Sequence, residues 1–257
     1  MNESSTSSRS GAPWYLYPIP LLLFFAAWYL FTLQADRQFI FSSPANVWSA
    51  LLTLLSNGEL LAHTRTTLFE AICGFVMGTT AGALLGLGLW YSKTVASVVR
   101  PYIAALASVP IFALSPMIIT WFGIGIFSKV MLAFLSTVVV AMVQSYQGAM
   151  TVQPRFLRLM AVVGADRSQI FRFLVVPSSA IWVINAMKLN IGLALLGAFI
   201  GEFISAEQGL GHMIVEASGI YDMATVFVGV GTLMVVALTL SYLVELLEKR
   251  LLRWQVR

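Results

Sequence analysis

The chain has 257 residues, of which 59% are hydrophobic and 10% charged, with 15 Lys and Arg against 11 Asp and Glu and a mean hydropathy of +0.86. A water-soluble domain carries roughly a quarter charged and about 45–50% apolar residues, so this composition excludes a cytosolic enzyme, a disordered chain and a nucleic-acid binder. A single cysteine, Cys73, forms no internal disulfide, and two histidines leave little material for a metal site; an integral membrane protein, one compact domain without cofactor or metal, is the expectation.

The first twelve residues, rich in Ser and Thr, read as a disordered tail, leaving a membrane domain over 13–257. A hydrocarbon layer about 30 Å thick needs roughly 20 apolar residues per helix. No charge occurs between Arg9 and Asp36, Glu70 and Lys93, Arg100 and Lys129, Lys129 and Arg155, or Asp222 and Glu245, and only Lys188 interrupts Arg172 to Glu202. These intervals predict an all-α, polytopic protein with six spans at about 15–34, 68–91, 101–122, 130–150, 178–203 and 223–246. Lipid offers no partner to an open backbone, so the spans must be helices. The first reads as a retained anchor, since its apolar run exceeds a signal peptide's and its basic region is Arg9 alone.

Ser43-Pro44 reads as an N-cap followed by proline at the first helical position. The helix it starts stops at Asn57-Gly58, too short to span, and is expected along the outer face. In the second span Gly74, Gly78, Gly82 and Gly86 recur every four residues, a spacing that lets helix backbones approach closely, within the bundle or at a subunit interface. Pro110 and Pro116 interrupt the third span, as a pathway-lining break or a structural kink.

The connection at 151–177 carries the most specific pattern. After Pro154 an amphipathic stretch ends at Gly164-Ala165; Asp166 to Gln169 then resembles a capping box, and a second short helix through Ile170-Phe171 leads to Pro177. The pair either lies on the bilayer with arginines toward phosphates or docks a cytoplasmic partner. Lys188, the one charge well inside a span, either faces a pathway, where it would favour anions, or snorkels or pairs structurally. Asn185 and Asn190 are neighbouring pathway candidates. No carboxylate is expected well inside a span, with Glu70, Glu202 and Glu245 at or near ends. His63 and His212, far apart in sequence, read as ordinary interfacial histidines.

Basic residues set the orientation. Arg9, Lys93, Arg100, Arg155, Arg158, Arg167, Arg172, Lys249, Arg250, Arg253 and Arg257 fall on one side, and only Arg37, Arg65 and Lys129 on the other. Both termini are therefore expected in the cytoplasm.

Gly164, with Ile170-Phe171 and then Pro177 thirteen residues after it, resembles the signature loop of ABC importer permeases of type I. Residues 41–47, Pro110 to Pro116, Trp121 to Gly125, Gly201-Glu202 and Gly209-Leu210-Gly211 are similar to other stretches of that family, nearest its nitrate, sulfonate, taurine and bicarbonate branch. Arg158-Leu159-Met160 departs from the usual Glu-Ala-Ala. The resemblance implies six spans with a cytoplasmic coupling helix between the fourth and fifth. It further implies a bacterial inner-membrane location, a second permease subunit (a homodimer), a cytoplasmic ATPase dimer and a periplasmic or lipid-anchored binding protein. It places ATPase docking on Gly164, Ala165, Asp166, Ile170, Phe171 and Pro177, and implies a small anionic cargo such as sulfonate, nitrate or taurine.

No lysine stands in a Gly-Lys-Ser/Thr phosphate loop: those at 93, 129, 188 and 249 follow Ser92, Ser128, Met187 and Glu248. A permease without its own ATPase site is thus expected. The rivals are an ion-driven carrier, which usually places a carboxylate within a span, and a non-transporting anchor.

Overall fold

The computed structural model describes residue 16 and residues 19–205 and 207–251; the expected tail at 1–12 lies outside them. Among these residues the chain is all-helical: α1 Ile19–Phe31, α2 Ala35–Phe41, α3 Pro44–Ser56, α4 Glu59–Gly88, α5 Lys93–Ser108, α6 Ile111–Phe122, α7 Ile126–Met150, α8 Pro154–Val162, α9 Arg167–Ile170, α10 Val176–Ser205, α11 Leu210–Gly219 and α12 Met223–Leu251. A 3-10 turn, Leu89–Tyr91, closes α4, and a π turn, Phe171–Val175, joins α9 to α10. Among the described residues five helical stretches are long and apolar enough to cross a membrane: Gln38–Ser56, Glu59–Tyr91, Ile126–Met150, Arg167–Ser205 and Met223–Leu251. A sixth is the pair α5 and α6, bent by 93°.

Several expected boundaries move, each for a local reason. The described helix α1, Ile19–Phe31, lies within the expected first span at 15–34. The helix expected to lie flat, α3, extends back through α2 as the stretch Gln38–Ser56, although the Ser43 cap forms as expected, its Oγ accepting from the Asn46 N–H at 3.2 Å. The second span starts at Glu59, not 68, because Asn57-Gly58 both ends α3 and opens α4. Gly58 takes φ +80°, and Asn57 Oδ1 accepts the Glu59 N–H at 3.0 Å. The third span is two helices: Val109, held extended before Pro110 (φ −77°, ψ 122°), cannot continue the helix. Pro116 lies inside α6.

Helices α4, α7 and α10 form the centre. Gly74, Gly78, Gly82 and Gly86 of α4 lie against α7. A Cβ on Gly82 would stand 2.3 Å from the Val138 carbonyl oxygen, and one on Gly86 2.2 Å from that of Met142. Glycine costs a helix about 1 kcal/mol against alanine, and here it permits backbone-to-backbone packing that no other residue allows. Asn190 is buried at the crossing of the three helices, its Nδ2 donating to Thr79 Oγ1 at 2.9 Å and to the Thr137 carbonyl at 3.1 Å. That placement corrects its reading as a pathway residue. Ala71, Ala133, Ile191, Ala194, Leu195 and Ala198 fill the remaining space, with Val236 and Val244 of α12 closing one side.

Candidate functional site

At one end of the bundle α8 and α9 form an elbow. Pro154 starts α8 at a position where its missing N–H has no helical partner to lose. Gly164 ends the limb at φ +76°, the left-handed region that favours glycine, with the Ala165 N–H donating back to the Met160 carbonyl at 3.0 Å. Asp166 then caps α9 reciprocally: its Oδ1 accepts the Gln169 N–H at 2.8 Å, and its own N–H donates to Gln169 Oε1 at 2.9 Å. The second limb is not a separate helix, as the sequence pattern suggested. It runs through the π turn, where the Val176 N–H reaches the Phe171 carbonyl, into α10. Pro177 sits in the first turn of α10 and has no N–H to return to Phe173, which suits a widened turn just before it.

The elbow has two faces. Ile170 and Phe171 turn inward and pack with Trp90, Leu157 and Leu174 over Ala149, Val152 and Val175. Leu159, Val162 and Val163 turn outward, Val162 being 84% exposed and Val163 70%. Gly164, Asp166 and Pro177 are also exposed, and Ala165 is half-buried.

At the opposite end three amides opening α11 are met by side chains from two other helices. His63 Nδ1 accepts the Gly209 N–H at 3.0 Å, Thr67 Oγ1 accepts the Leu210 N–H at 2.8 Å, and Glu202 Oε2 accepts the Gly211 N–H at 2.7 Å. Thr67 in turn donates to Glu202 Oε1 at 2.6 Å. A helix start leaves such amides unsatisfied and favours a negative charge; here α4 and α10 supply both. Gly209, at φ +120°, and Gly211 stand so near Glu202 that a Cβ would fall 2.2 Å and 2.8 Å from its side chain.

Beside this knot Glu70, Glu202 and Lys129 are 1%, 1% and 2% exposed. The Lys129 ammonium donates to the carbonyls of Ile124 and Ser205, tying the α6–α7 turn to the end of α10. Glu70 stands against Glu202, and its Oε2 has no partner within the described residues. It faces a cavity of about 290 Å3, also lined by Thr66, Gly125, Lys129, Glu207 and Gln208.

Three expectations are corrected here. Glu70 lies inside α4 and is buried, not at a helix end, because α4 begins nine residues before the expected span. Lys129 is buried in the first turn of α7, not in an outer loop. His63 and His212, distant in sequence, have ring centres 6.2 Å apart. The similarity of Gly201-Glu202 and Gly209-Leu210-Gly211 to a known pattern pointed at half the knot; the α4 half had no signal beyond isolated His, Thr and Glu. The remaining pathway candidates do not converge on it. Lys188 pairs with Glu248 of α12 at 2.5 Å. Asn185 is exposed on α10 in line with Ile181, Leu189 and Leu196, whereas Pro110 and Pro116 belong to the bent pair.

The model of the family described as "Binding-protein-dependent transport system inner membrane component" matches residues 78–253. The riboflavin transport system permease protein RibX of Chloroflexus aurantiacus is 33% identical over 239 residues, 93% of this chain and 89% of that protein. The taurine transport system permease protein TauC of Escherichia coli is 25% identical over 232 residues, 88% of this chain and 84% of that one. Among solved structures, the MetNI methionine ABC transporter in an inward facing conformation aligns with a TM-score of 0.58 at 20% identity, covering 84% of this chain and 100% of the matched chain; at that identity the likeness shows the fold. These relatives are transport permeases, not enzymes, and proteins of this kind work with an ATPase and a substrate-binding protein. With the family matched across most of its length and the type I importer fold in hand, the chain belongs to the binding-protein-dependent inner-membrane components and is the permease subunit of an ABC importer.

Proposed function

We propose that two copies of this chain, each a single membrane domain over residues 13–257, form a passage whose motion is driven by a cytoplasmic ATPase dimer seated on the elbow. Both termini and the elbow are cytoplasmic in this reading, and a periplasmic or lipid-anchored binding protein delivers cargo to the opposite end. The observation that carries it is the exposed apolar tip at Val162 and Val163, held in shape by the Gly164 turn and the Asp166 cap. A water-facing apolar tip on a rigid elbow is a docking surface, since apolar area removed from water contributes about 25 cal/mol per Å². Gly164, Ala165, Asp166 and Pro177 shape that surface. Ile170 and Phe171 act from its inner side, anchoring it to the bundle.

The passage runs along the open stripe of α10 that includes Asn185 and beside the bend made by Pro110 and Pro116. Lys188, neutralised by Glu248, is withdrawn as a determinant of anion preference. The cargo is a small organic sulfonate, on the support of the taurine relative; the more similar riboflavin relative favours a second reading, a heteroaromatic solute. The test is Val162→Asp. The variant should insert in membranes at wild-type yield, yet lose copurification of the ATPase at least tenfold, about 1.4 kcal/mol or more. Unchanged copurification would overturn the docking assignment. Titrating the cognate binding protein with taurine and with riboflavin decides between the two cargo readings.

A further inference from the structure

The elbow is held to the bundle by a contact that docking does not use. The Arg167 guanidinium donates to the Tyr91 carbonyl and lies 5.6 Å from the ring centre of Trp90 and 5.9 Å from that of Tyr91. One turn on, the Phe171 ring centre is 5.7 Å from that of Trp90 and 4.7 Å from that of Tyr91. Trp90 and Tyr91 form the 3-10 turn that closes α4. The planar guanidinium stacks on aromatic faces while its N–H groups reach a carbonyl, a combination lysine does not reproduce. The first turn of the elbow's second limb is thus fastened to the end of a helix 76 residues earlier in the chain.

At its other end α4 supplies His63 and Thr67 to the amides of Gly209 and Leu210. Between these ends the helix is 30 residues long, about 45 Å at about 1.5 Å per residue, and its glycine stripe meshes with α7. Close-packed backbones resist sliding and displace as a body. The elbow is covalently continuous with α10, and the Arg167 contact, with the Phe171 ring beside it, is the polar tie that joins its second limb to the end of α4 as well. We propose that Arg167 is a positioning residue that locks the elbow to Trp90 and Tyr91, so that α4 acts as a strut carrying elbow displacement to the Gly209–Gly211 turn at the opposite end. Without the lock the elbow end of α10 moves without the matching end of α4, and less of the displacement reaches the Thr67–Glu202 junction.

The proposal rests on the elbow being the ATPase-docking element, and the experiment separates the two. In a Cys73→Ser background, Gln208→Cys reports the opposite end through its rate of reaction with N-ethylmaleimide, measured on the purified permease–ATPase complex with and without ATP and vanadate. Arg167→Lys and Trp90→Leu should copurify with the ATPase and hydrolyse ATP within about twofold of the parent, while the nucleotide-dependent change in labelling rate falls at least fivefold. Trp90→Phe, which keeps an aromatic face, should restore most of it, and the double variant should be no worse than either single one. A full labelling response in both single variants, or no response to nucleotide in the parent, overturns the strut. Loss of ATPase copurification in Trp90→Leu also overturns it, because the contact would then belong to docking. A failure of the docking reading shows separately, as a parent unaffected by Val162→Asp.

Discussion

Glu202 holds two elements of the knot at once: one carboxylate oxygen takes the Gly211 N–H and the other the Thr67 hydroxyl. Truncation strands a buried amide and a buried hydroxyl. An orphaned buried donor costs about 1–3 kcal/mol, so Glu202→Ala should lower stability by about 2 kcal/mol or more. Glu202→Gln keeps one acceptor oxygen for two donors and should fall between. Thermal unfolding in detergent, followed by tryptophan fluorescence, should rank wild type above Gln and Gln above Ala; coincident midpoints would mean that the carboxylate does not hold α11. Gly209→Ala deletes no hydrogen bond but forces a β-carbon into that carboxylate at a left-handed φ. It should be damaging for that reason alone, with a midpoint below that of Glu202→Gln.

Between elements, the α4–α7 seam offers a matched comparison. Gly82 and Gly88 are both helical glycines of α4, but a Cβ at 82 would strike Val138 and Ala141, while one at 88 meets nothing within 4 Å. Gly88→Ala should therefore stabilise the protein by about 0.5–1 kcal/mol through the helix preference alone. Gly82→Ala should destabilise it by about 1–3 kcal/mol, as overpacking does. Opposite signs in the two melting shifts are the expected result, and equal shifts would remove the seam as a constraint. The elbow is tested by Asp166→Ala, which removes a cap contributing about 1 kcal/mol; amide exchange at Gln169 and Ile170 should accelerate several-fold with little change elsewhere. This seam and this cap were readable in the sequence because each is written locally, as glycine at every fourth position and as Asp166 with Gln169. The knot was not. His63, Thr67, Glu70 and Lys129 sit on α4 and α7, Glu202 on α10, and only tertiary packing brings them together. A charge-based rule for finding spans also treats Glu70 and Lys129 as boundaries, and so misplaces the residues that the bundle buries in compensating groups.

For the whole molecule the distribution of charge argues the orientation. The elbow end carries Lys93, Arg100, Arg155, Arg158, Arg167, Arg172, Lys249 and Arg250 against Asp166, Glu245 and Glu248, whereas the opposite end carries Glu59, Glu207, Glu216 and Asp222 against Arg65 on its surface. Of the basic residues at that opposite end, Lys129 is buried beside Glu70 and Glu202, which leaves its surface more acidic than a count from the sequence suggests. Positive charge in short connections is retained on the cytoplasmic side during insertion, so the elbow should face the cytoplasm. Two single-cysteine proteins in a Cys73→Ser background measure this directly. Val163→Cys sits at the elbow tip, and Ile220→Cys lies in the exposed turn between α11 and α12, where the native side chain is 74% exposed. In intact spheroplasts a membrane-impermeant maleimide should label the Ile220→Cys protein and spare the Val163→Cys protein until the membrane is permeabilised. The reverse pattern would put the elbow outside, beyond the reach of any ATP-hydrolysing partner. Labelling of both in intact cells would mean that one of these connections does not stay on a single side, which a rigid α4–α7–α10 bundle spanning the membrane does not permit.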